Sequence, residues 1–144
     1  MFIKQLSIFI ENRSGRLEEV TETLKVNQIN IVSLSLADTS EYGMLRLVVS
    51  DPVAAKAALA DNGFSAMLTD VLAVKLPHKI GMLQVLLKAI SDETINIEYM
   101  YALATGYENA SMIIKVSNPE KAIEAIKRAG LDLFSPEEAY AINE

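Results

Sequence analysis

The fold is decided by the stretch LSIFIENRSGRL at residues 6–17, because the chain returns to it as LAVKLPHKIGML at residues 72–83. One constant spacing aligns identical residues throughout this region: Leu6 with Leu72, Gly15 with Gly81, Leu17 with Leu83, and Ile29-Asn30-Ile31 with Ile95-Asn96-Ile97. A repeat of fixed period determines the architecture and has to be recognised before any other pattern. The chain is a duplication of one short module.

The repeat continues into the second half of each copy with one additional residue. Beyond Tyr42 the spacing between equivalent residues is longer by one, and it aligns Pro52 with Pro119, Ala55 with Ala122, Ala58 with Ala125, and Gly63 with Gly130. We therefore place a one-residue insertion between the second and third predicted strands of the second copy. The repeat predicts two modules, residues 1–69 and 70–144.

Each copy carries the hydrophobic pattern of four strands and two helices. Apolar and β-branched runs predict the strands, and apolar residues at helical spacing after Gly15 and Gly81 predict the first helix of each copy. The predicted strands are 3–10, 30–38, 44–50 and 64–69 in the first copy, and 71–76, 96–105, 110–117 and 139–142 in the second. On the second strand, Val32, Leu34 and Leu36 share one side, which suits a strand covered on one face.

The second helix of each copy has a specific start signal. Asp51-Pro52 and Asn118-Pro119 each place a capping residue before a proline at the first helical position. Gly63 and Gly130 end these helices. The order βαββαβ, twice, predicts an α+β protein with two antiparallel sheets, each with two helices on one face. We expect the sheets to join side by side, because an isolated four-stranded sheet leaves its edges open.

The composition limits the class of protein. Hydrophobic residues make up 51% and charged residues 22%, as in soluble globular proteins. With 13 basic against 19 acidic residues, the net charge of -6 argues against a nucleic-acid partner. We expect a cytoplasmic protein without a membrane segment, because no apolar run approaches the roughly 20 residues that cross a bilayer. Without cysteine and with one histidine, we expect no metal and no cofactor.

Two segments carry a family resemblance that covers the whole chain. Residues 9–17, followed by Asn30-Ile31, resemble the ligand loop and second strand of ACT domains, and residues 76–83 with Asn96-Ile97 repeat the pattern. The resemblance implies two ferredoxin-like modules, as in small stand-alone tandem ACT proteins, which are amino-acid-binding regulators. Ser14 and Ile80 stand where the family usually has proline.

The resemblance also implies a ligand site in each copy. Asn12 would hydrogen-bond an amino acid, Asn30 and Ile31 of a neighbouring module would complete the site, and His78 and Asn96 would be their counterparts. A loop that feeds a helix presents free N–H groups at the positive end of the helix dipole, which suits a carboxylate. The full set of candidate ligand-binding residues is Asn12, Arg13, Ser14, Gly15, Leu17, Asn30, Ile31, His78, Gly81, Leu83, Asn96 and Ile97.

Each of these residues also has a purely structural interpretation. Gly15 and Gly81 suit tight turns as well as close approach of a ligand, and Asn30 and Asn96 are ordinary residues at the start of a strand. Arg13 and Arg16 suit a carboxylate or phosphate held by two hydrogen bonds, or else they are solvent-exposed. The sequence leaves these alternatives open.

Two tyrosines suggest an interface. Tyr99 and Tyr101 lie two apart on a predicted strand, so they point to the same face, opposite Met100 and away from the helices. Amphipathic aromatic residues favour interfaces. We expect a second chain to cover this face in a homodimer.

The sequence favours a non-catalytic function. The one histidine has no acid or nucleophile at a diagnostic spacing, and there is no P-loop. Acylphosphatases share the βαββαβ order, so a catalytic role for Arg13 or Arg16 is the alternative that this order leaves open. RNA-binding modules share it too but need aromatic residues on the third strand, which 44–50 and 110–117 lack. Two functions remain: a sensor that binds an amino acid or similar small carboxylate between modules and acts on a partner protein, and an interaction module whose loops bind no ligand.

Overall fold

The computed structural model describes residues 2–11, 13–38, 41–104 and 109–142. It divides into two compact units. Lys4–Thr69 with Tyr140–Glu144 form the N-terminal unit, and Asp70–Ala139 with Met1–Ile3 form the C-terminal unit. Within the described ranges, no helix has the length and apolar character needed to cross a membrane. The module boundaries 1–69 and 70–144 remain a prediction.

The N-terminal unit has the predicted βαββαβ order. Its elements are β1 (Ile3–Glu11), α1 (Arg16–Val26), β2 (Ile31–Asp38), β3 (Tyr42–Val49), α2 (Pro52–Asp61) and β4 (Ala66–Lys75). The strands lie in the order β2-β3-β1-β4, and β3 pairs antiparallel with both β1 and β2. β4 is one unbroken strand whose residues from Asp70 belong to the C-terminal unit.

The C-terminal unit repeats this arrangement. After β4 come α3 (Met82–Asp92), β5 (Ile97–Ala102), β6 (Met112–Val116), α4 (Pro119–Arg128), β7 (Asp132–Leu133) and α5 (Pro136–Tyr140). Strand β6 pairs antiparallel with β4 and β5, and β7 pairs antiparallel with β4. The predicted α+β fold of two antiparallel modules is confirmed.

Each unit has its own hydrophobic core on one face of its strands. In the N-terminal unit, alternate residues of β1 and β3 pack with Val20 and Leu24 of α1 and with Ala55 and Leu59 of α2. In the C-terminal unit, the equivalent residues of α3 and α4 form the core, namely Leu86, Ile90, Ala122 and Ile126. Because both helices of a unit contribute to the same cluster, they cover the same face of its strands.

Strand pairing confirms the duplication residue by residue. Leu34 pairs with Leu47 in the N-terminal unit, and their counterparts in the repeat, Met100 and Ile114, pair in the C-terminal unit. Met100 aligns with Leu34 at the first spacing, whereas Ile114 aligns with Leu47 at the spacing that is longer by one. The inserted residue therefore lies in the connection between β5 and β6. A shift of one residue within a strand would have moved its core side chains to the other face.

The closing strand predicted at 139–142 is wrong. The unit closes instead with β7, which follows Gly130 directly and pairs with Val74 and Lys75. Residues Pro136–Tyr140 form α5. The Ser135 side chain accepts a hydrogen bond from the Glu138 N–H at 3.1 Å, and the Glu138 carboxylate accepts one from the Ser135 N–H at 3.1 Å. This reciprocal pair is a capping box, which starts a helix rather than a strand.

The face of β2 that carries Val32, Leu34 and Leu36 is only partly covered, since Val32 alone of the three is buried. Leu34 and Leu36 are each 47% exposed, although they pair with the buried core residues Leu47 and Leu45 of β3. β2 is the outermost strand of its unit. Its side chains therefore have a neighbouring strand on one side only, and the core residues of α1 and α2 pack chiefly with β1 and β3.

Candidate functional site

The described residues of the two predicted ligand loops share two backbone features. Gly15 has φ 88° and Gly81 has φ 91°, both in the left-handed region. The N–H of Arg13 donates to the Glu11 carbonyl at 2.9 Å, and the N–H of Lys79 donates to the Pro77 carbonyl at the same distance. Glycine is required at these positions by the positive φ and not by crowding, because a Cβ atom would meet nothing within 4 Å.

The helices that follow the loops start without a cap. No described side chain caps α1 or α3. By contrast, Asp51 accepts a hydrogen bond from the Ala54 N–H at 3.1 Å at the start of α2, and Asn118 accepts one from the Lys121 N–H at 3.2 Å at the start of α4. Uncapped N–H groups at the positive end of a helix dipole favour an anion. Helices α1 and α3, which follow the loops, therefore lack the side-chain cap that α2 and α4 have.

The cations of the first loop already have partners. The Nε of Arg13 donates to Glu11 at 2.8 Å. The guanidinium of Arg16 donates to Glu19 at 2.5 Å and lies over the Phe64 ring at 4.3 Å. The Arg16 side chain is only 17% exposed. These contacts hold both arginines within the N-terminal unit. Asn12, the central residue of the predicted site, lies outside the described residues, as does Thr105 at the end of a predicted strand.

Acidic side chains surround the start of α1. A cavity of about 430 Å³ beside Gly15 is lined by Glu18, Glu19 and Glu22, together with Phe64. Three carboxylates on one helix repel an anion and offset the positive end of the helix dipole. Ser14 is exposed and Leu17 packs against the core. The structure therefore gives the first loop unfavourable surroundings for a carboxylate.

The second loop opens on a different kind of cavity. Its volume is about 460 Å³, and its lining residues are Leu76, Pro77, His78, Lys79, Ile80, Met82, Leu83, Ala110 and Met112. None of the described lining residues is acidic, and the first turn of α3 has no acidic residue either. His78 and Lys79 are exposed, and the Ile80 side chain is fully exposed. The cavity combines apolar walls with one cationic side chain and an open helix end.

The asparagine–isoleucine pairs lie elsewhere in each unit. The Asn30 N–H donates to the Ser50 hydroxyl at 2.9 Å and the Asn96 N–H donates to the Ser117 hydroxyl at 3.0 Å. Asn30 Nδ2 also donates to the Ile142 carbonyl at 3.4 Å. Ile31 and Ile97 pack against their cores.

The structure does not bring the two halves of the predicted site together within the C-terminal unit. Asn96 and Ile97 line a separate cavity of about 540 Å³, together with Ser91 in the last turn of α3 and Thr94 just after it. The His78 loop lies at the other end of this helix, which is 11 residues long and therefore about 16 Å from end to end. A contribution of Asn30-Ile31 or Asn96-Ile97 from a neighbouring module stays a prediction.

The tyrosines lie on the predicted face of β5. Tyr99 pairs with Lys115 and Tyr101 with Ile113, while Met100 between them packs against the core. Both tyrosines are half-buried. Their role in an interface between two chains is a prediction that the fold leaves open.

Seven residues that line the second cavity are absent from the predicted ligand-binding set: Leu76, Pro77, Lys79, Ile80, Met82, Ala110 and Met112. A signal for two of them was present in the repeat. Ile80 and Met82 align with the polar residues Ser14 and Arg16 of the first copy. Apolar residues at positions that are polar in the other copy indicate a surface that binds a ligand or a partner.

The fold and the two glycine loops define a tandem pair of ferredoxin-like modules. The family model described as an ACT domain pair matches residues 1–142, and the chain belongs to this family. The predicted resemblance is confirmed.

Solved structures share this fold. A protein from Bacteroides thetaiotaomicron is 43% identical, with a TM-score of 0.93 over 99% of this chain and 98% of its own. The ligand-free regulatory subunit of aspartate kinase from Thermus thermophilus is 22% identical, with a TM-score of 0.65 over 89% and 93% of the two chains. The corresponding Thermus flavus subunit is 21% identical, with a TM-score of 0.59 over 89% and 94%. A comparison with curated proteins gives no match.

Proposed function

We propose that this protein is a non-catalytic sensor that binds an amino acid or a similar small carboxylate and acts on a partner protein. The observation that carries the proposal is the uncapped start of α3, which opens on a cavity of about 460 Å³ beside Lys79. This volume lies within the range of about 300 to 1,000 Å³ that is typical of small-molecule sites.

The cavity offers a carboxylate two kinds of stabilisation. Free N–H groups in the first turn of α3 lie at the positive end of the helix dipole, and Lys79 adds a full positive charge. No described lining residue carries a competing negative charge. His78 takes the place of Asn12 in this loop, and we propose that it contacts the ligand.

Membership of the ACT domain pair family supports a regulatory role. A regulator changes its partner only if the ligand binds one conformation of the protein more tightly than another. We propose that the chain forms a homodimer through the face that carries Tyr99 and Tyr101, as the aromatic residues of β5 suggest.

The first experiment is a thermal-shift screen of the chain against the twenty amino acids and a set of short carboxylates. A ligand that binds only the folded state raises the midpoint of unfolding by mass action. Calorimetry then measures the Kd of each ligand for the protein and for Lys79→Gln. We expect this variant to weaken binding by about 3- to 10-fold, the ordinary net effect of one hydrogen bond, because the exposure of Lys79 reduces the larger effect of its charge.

The matched control is Lys88→Gln. Lys88 is an exposed lysine on α3 that pairs with Asp92 at 3.0 Å. Its replacement also removes one positive charge, but at a position distant from the loop. Its Kd should equal that of the unmodified protein. If no compound produces a shift at millimolar concentration, the sensor proposal is wrong, and the alternative of an interaction module without a ligand takes its place.

A further inference from the structure

We propose that the two loops of the repeat have diverged in role: only the loop of the C-terminal unit binds, and its ligand carries an apolar side chain. This inference rests on the proposed function and narrows it in two ways. It predicts the number of ligands per chain and the chemical class of the ligand's side chain.

The first argument is the comparison of the two copies at equivalent positions. Three residues that line the second cavity are apolar where the first copy is polar or charged: Pro77 in place of Glu11, Ile80 in place of Ser14, and Met82 in place of Arg16. The cation is retained, since Lys79 takes the place of Arg13. The second loop therefore combines a cation for a carboxylate with apolar walls, whereas the first loop has polar or charged residues at the equivalent positions.

The second argument is the state of the first loop. Arg13 is paired with Glu11 at 2.8 Å, and Arg16 is held between Glu19 and the Phe64 ring. A ligand carboxylate would have to displace a glutamate from one of these arginines. Glu18 and Glu22 line the cavity beside Gly15 together with Glu19, and their charges repel an anion that approaches the start of α1. Internal ion pairs thus occupy the cations that a ligand would use.

The third argument is the chemistry of the cavity walls. A polar side chain that enters a cavity lined by Leu76, Met82, Leu83 and Met112 loses its hydration and finds apolar atoms in exchange. An apolar side chain gains affinity on burial, by about 4-fold for each CH₂ group. The walls therefore select for aliphatic or thioether side chains over polar ones of the same shape.

Isosteric pairs of amino acids test the selectivity directly. Leucine and asparagine have closely similar shapes, as do valine and threonine, so each pair differs chiefly in polarity. We expect calorimetry to show leucine binding at least about 10-fold more tightly than asparagine, and valine more tightly than threonine. We also expect one bound ligand per chain.

Residues exchanged between the copies test the site. Ile80→Ser and Met82→Arg place the first copy's residues in the second loop, and each should weaken leucine binding by about 10-fold or more. Ile80 is fully exposed, so Ile80→Ser should leave the fold intact. Ser14→Ile, the reciprocal change in the first loop, is the matched control and should leave the Kd for leucine unchanged.

Each outcome separates this inference from the proposed function. Tighter binding of asparagine than of leucine, with binding still weakened in Lys79→Gln, would overturn the apolar class and leave the sensor function standing. Two ligands per chain, or a loss of binding in Ser14→Ile, would overturn the division of roles. Absence of binding by all the amino acids and carboxylates would overturn both proposals.

Discussion

Arg16 illustrates how a single residue takes different roles in two copies of one module. The sequence places it beside a loop that suits a carboxylate, where an arginine is a candidate ligand-binding residue. In the structure its guanidinium lies 4.3 Å from the centre of the Phe64 ring and donates to Glu19. The Phe64 contact joins residues that are far apart in the sequence, so the pattern around the loop could not predict it. The equivalent residue, Met82, lines a cavity instead.

The contacts of Arg16 predict a loss of stability on its removal. We expect Arg16→Ala to lower the free energy of unfolding by about 1 kcal/mol, through lost packing and cation–π attraction on a mostly buried side chain. Urea unfolding followed by circular dichroism measures the change. Arg13→Ala is the matched control, because the Arg13 side chain is 60% exposed in its ion pair, and it should change stability by less than about 0.5 kcal/mol. Equal effects of the two substitutions would contradict a packing role for Arg16.

Helix α5 shows how one sequence signal can compete with another. Asp51-Pro52 and Asn118-Pro119 predict helices that the structure confirms. Ser135-Pro136 is the same kind of signal, with Glu138 three residues after the serine. The repeat predicts a fourth strand in this region instead, and the chain completes that strand earlier, in the two residues of β7. The local signal was therefore the better guide to the end of the chain.

The capping box predicts a cost for its removal. Ser135→Ala removes the side chain that accepts the Glu138 N–H at 3.1 Å. We expect the free energy of unfolding to fall by about 1 kcal/mol, as for other helix caps. Asn118→Ala, at the start of α4, should cost a similar amount in the same urea titration. No change in Ser135→Ala would mean that α5 contributes little to the stability of the folded protein.

Glu138 predicts a pH dependence. The pKa of its carboxyl lies below the ordinary value of 4.5, first because the Lys75 side chain donates to it and then because the Ser135 N–H does. Since the folded pKa is lowered, the stabilisation is present above the ordinary pKa and is lost as the pH falls through the folded value. The difference in Tm between the protein and Glu138→Gln should therefore be largest near neutral pH and shrink in acid. A difference that is constant across this range would contradict the assignment. Glu137→Gln is the control for the change in charge.

At the scale of the whole molecule, the two compact units do not follow the order of the sequence strictly. The Tyr140 hydroxyl accepts a hydrogen bond from the Lys4 N–H at 2.7 Å, and Ile142 accepts one from Asn30. Residues near the end of the repeat thus belong to the N-terminal unit. The internal alignment could not reveal this, because it compares each copy only with the other.

The hydrogen bond between Tyr140 and Lys4 predicts that residues at the end of the second copy stabilise the N-terminal unit. We expect Tyr140→Phe to lower the free energy of unfolding by about 1 kcal/mol, the ordinary contribution of one hydrogen bond. Differential scanning calorimetry of the full chain measures the change. Hydrogen exchange should show it as faster exchange of the Lys4 amide. An unchanged exchange rate at Lys4 would show that the bond does not persist in solution.

At the scale of the whole molecule, the sequence predicts the number and order of the elements, but it does not show which of the two loops forms the binding site. Identical glycines, prolines and core positions at a fixed spacing are visible in the sequence, and they determine the number and order of the elements. The difference between the two loops depends instead on partners. Arg13 and Arg16 are bound by nearby glutamates, and the cavity beside Ile80 includes Met112 from another strand. Such contacts exist only once the chain has folded.

The irregular pairing of the outer strand of each unit is shared by the two copies of the module. The register shifts between Ile31 and Ser33 in β2, and it shifts at the equivalent place, between Ile97 and Tyr99, in β5. An irregularity at the same place in both copies belongs to the module itself and does not depend on the residues in which the copies differ. The difference of one residue in the connection that follows is not shared, and neither are the apolar side chains of Ile80 and Met82. The duplicated fold therefore keeps the pairing of its strands while the residues of its loops differ.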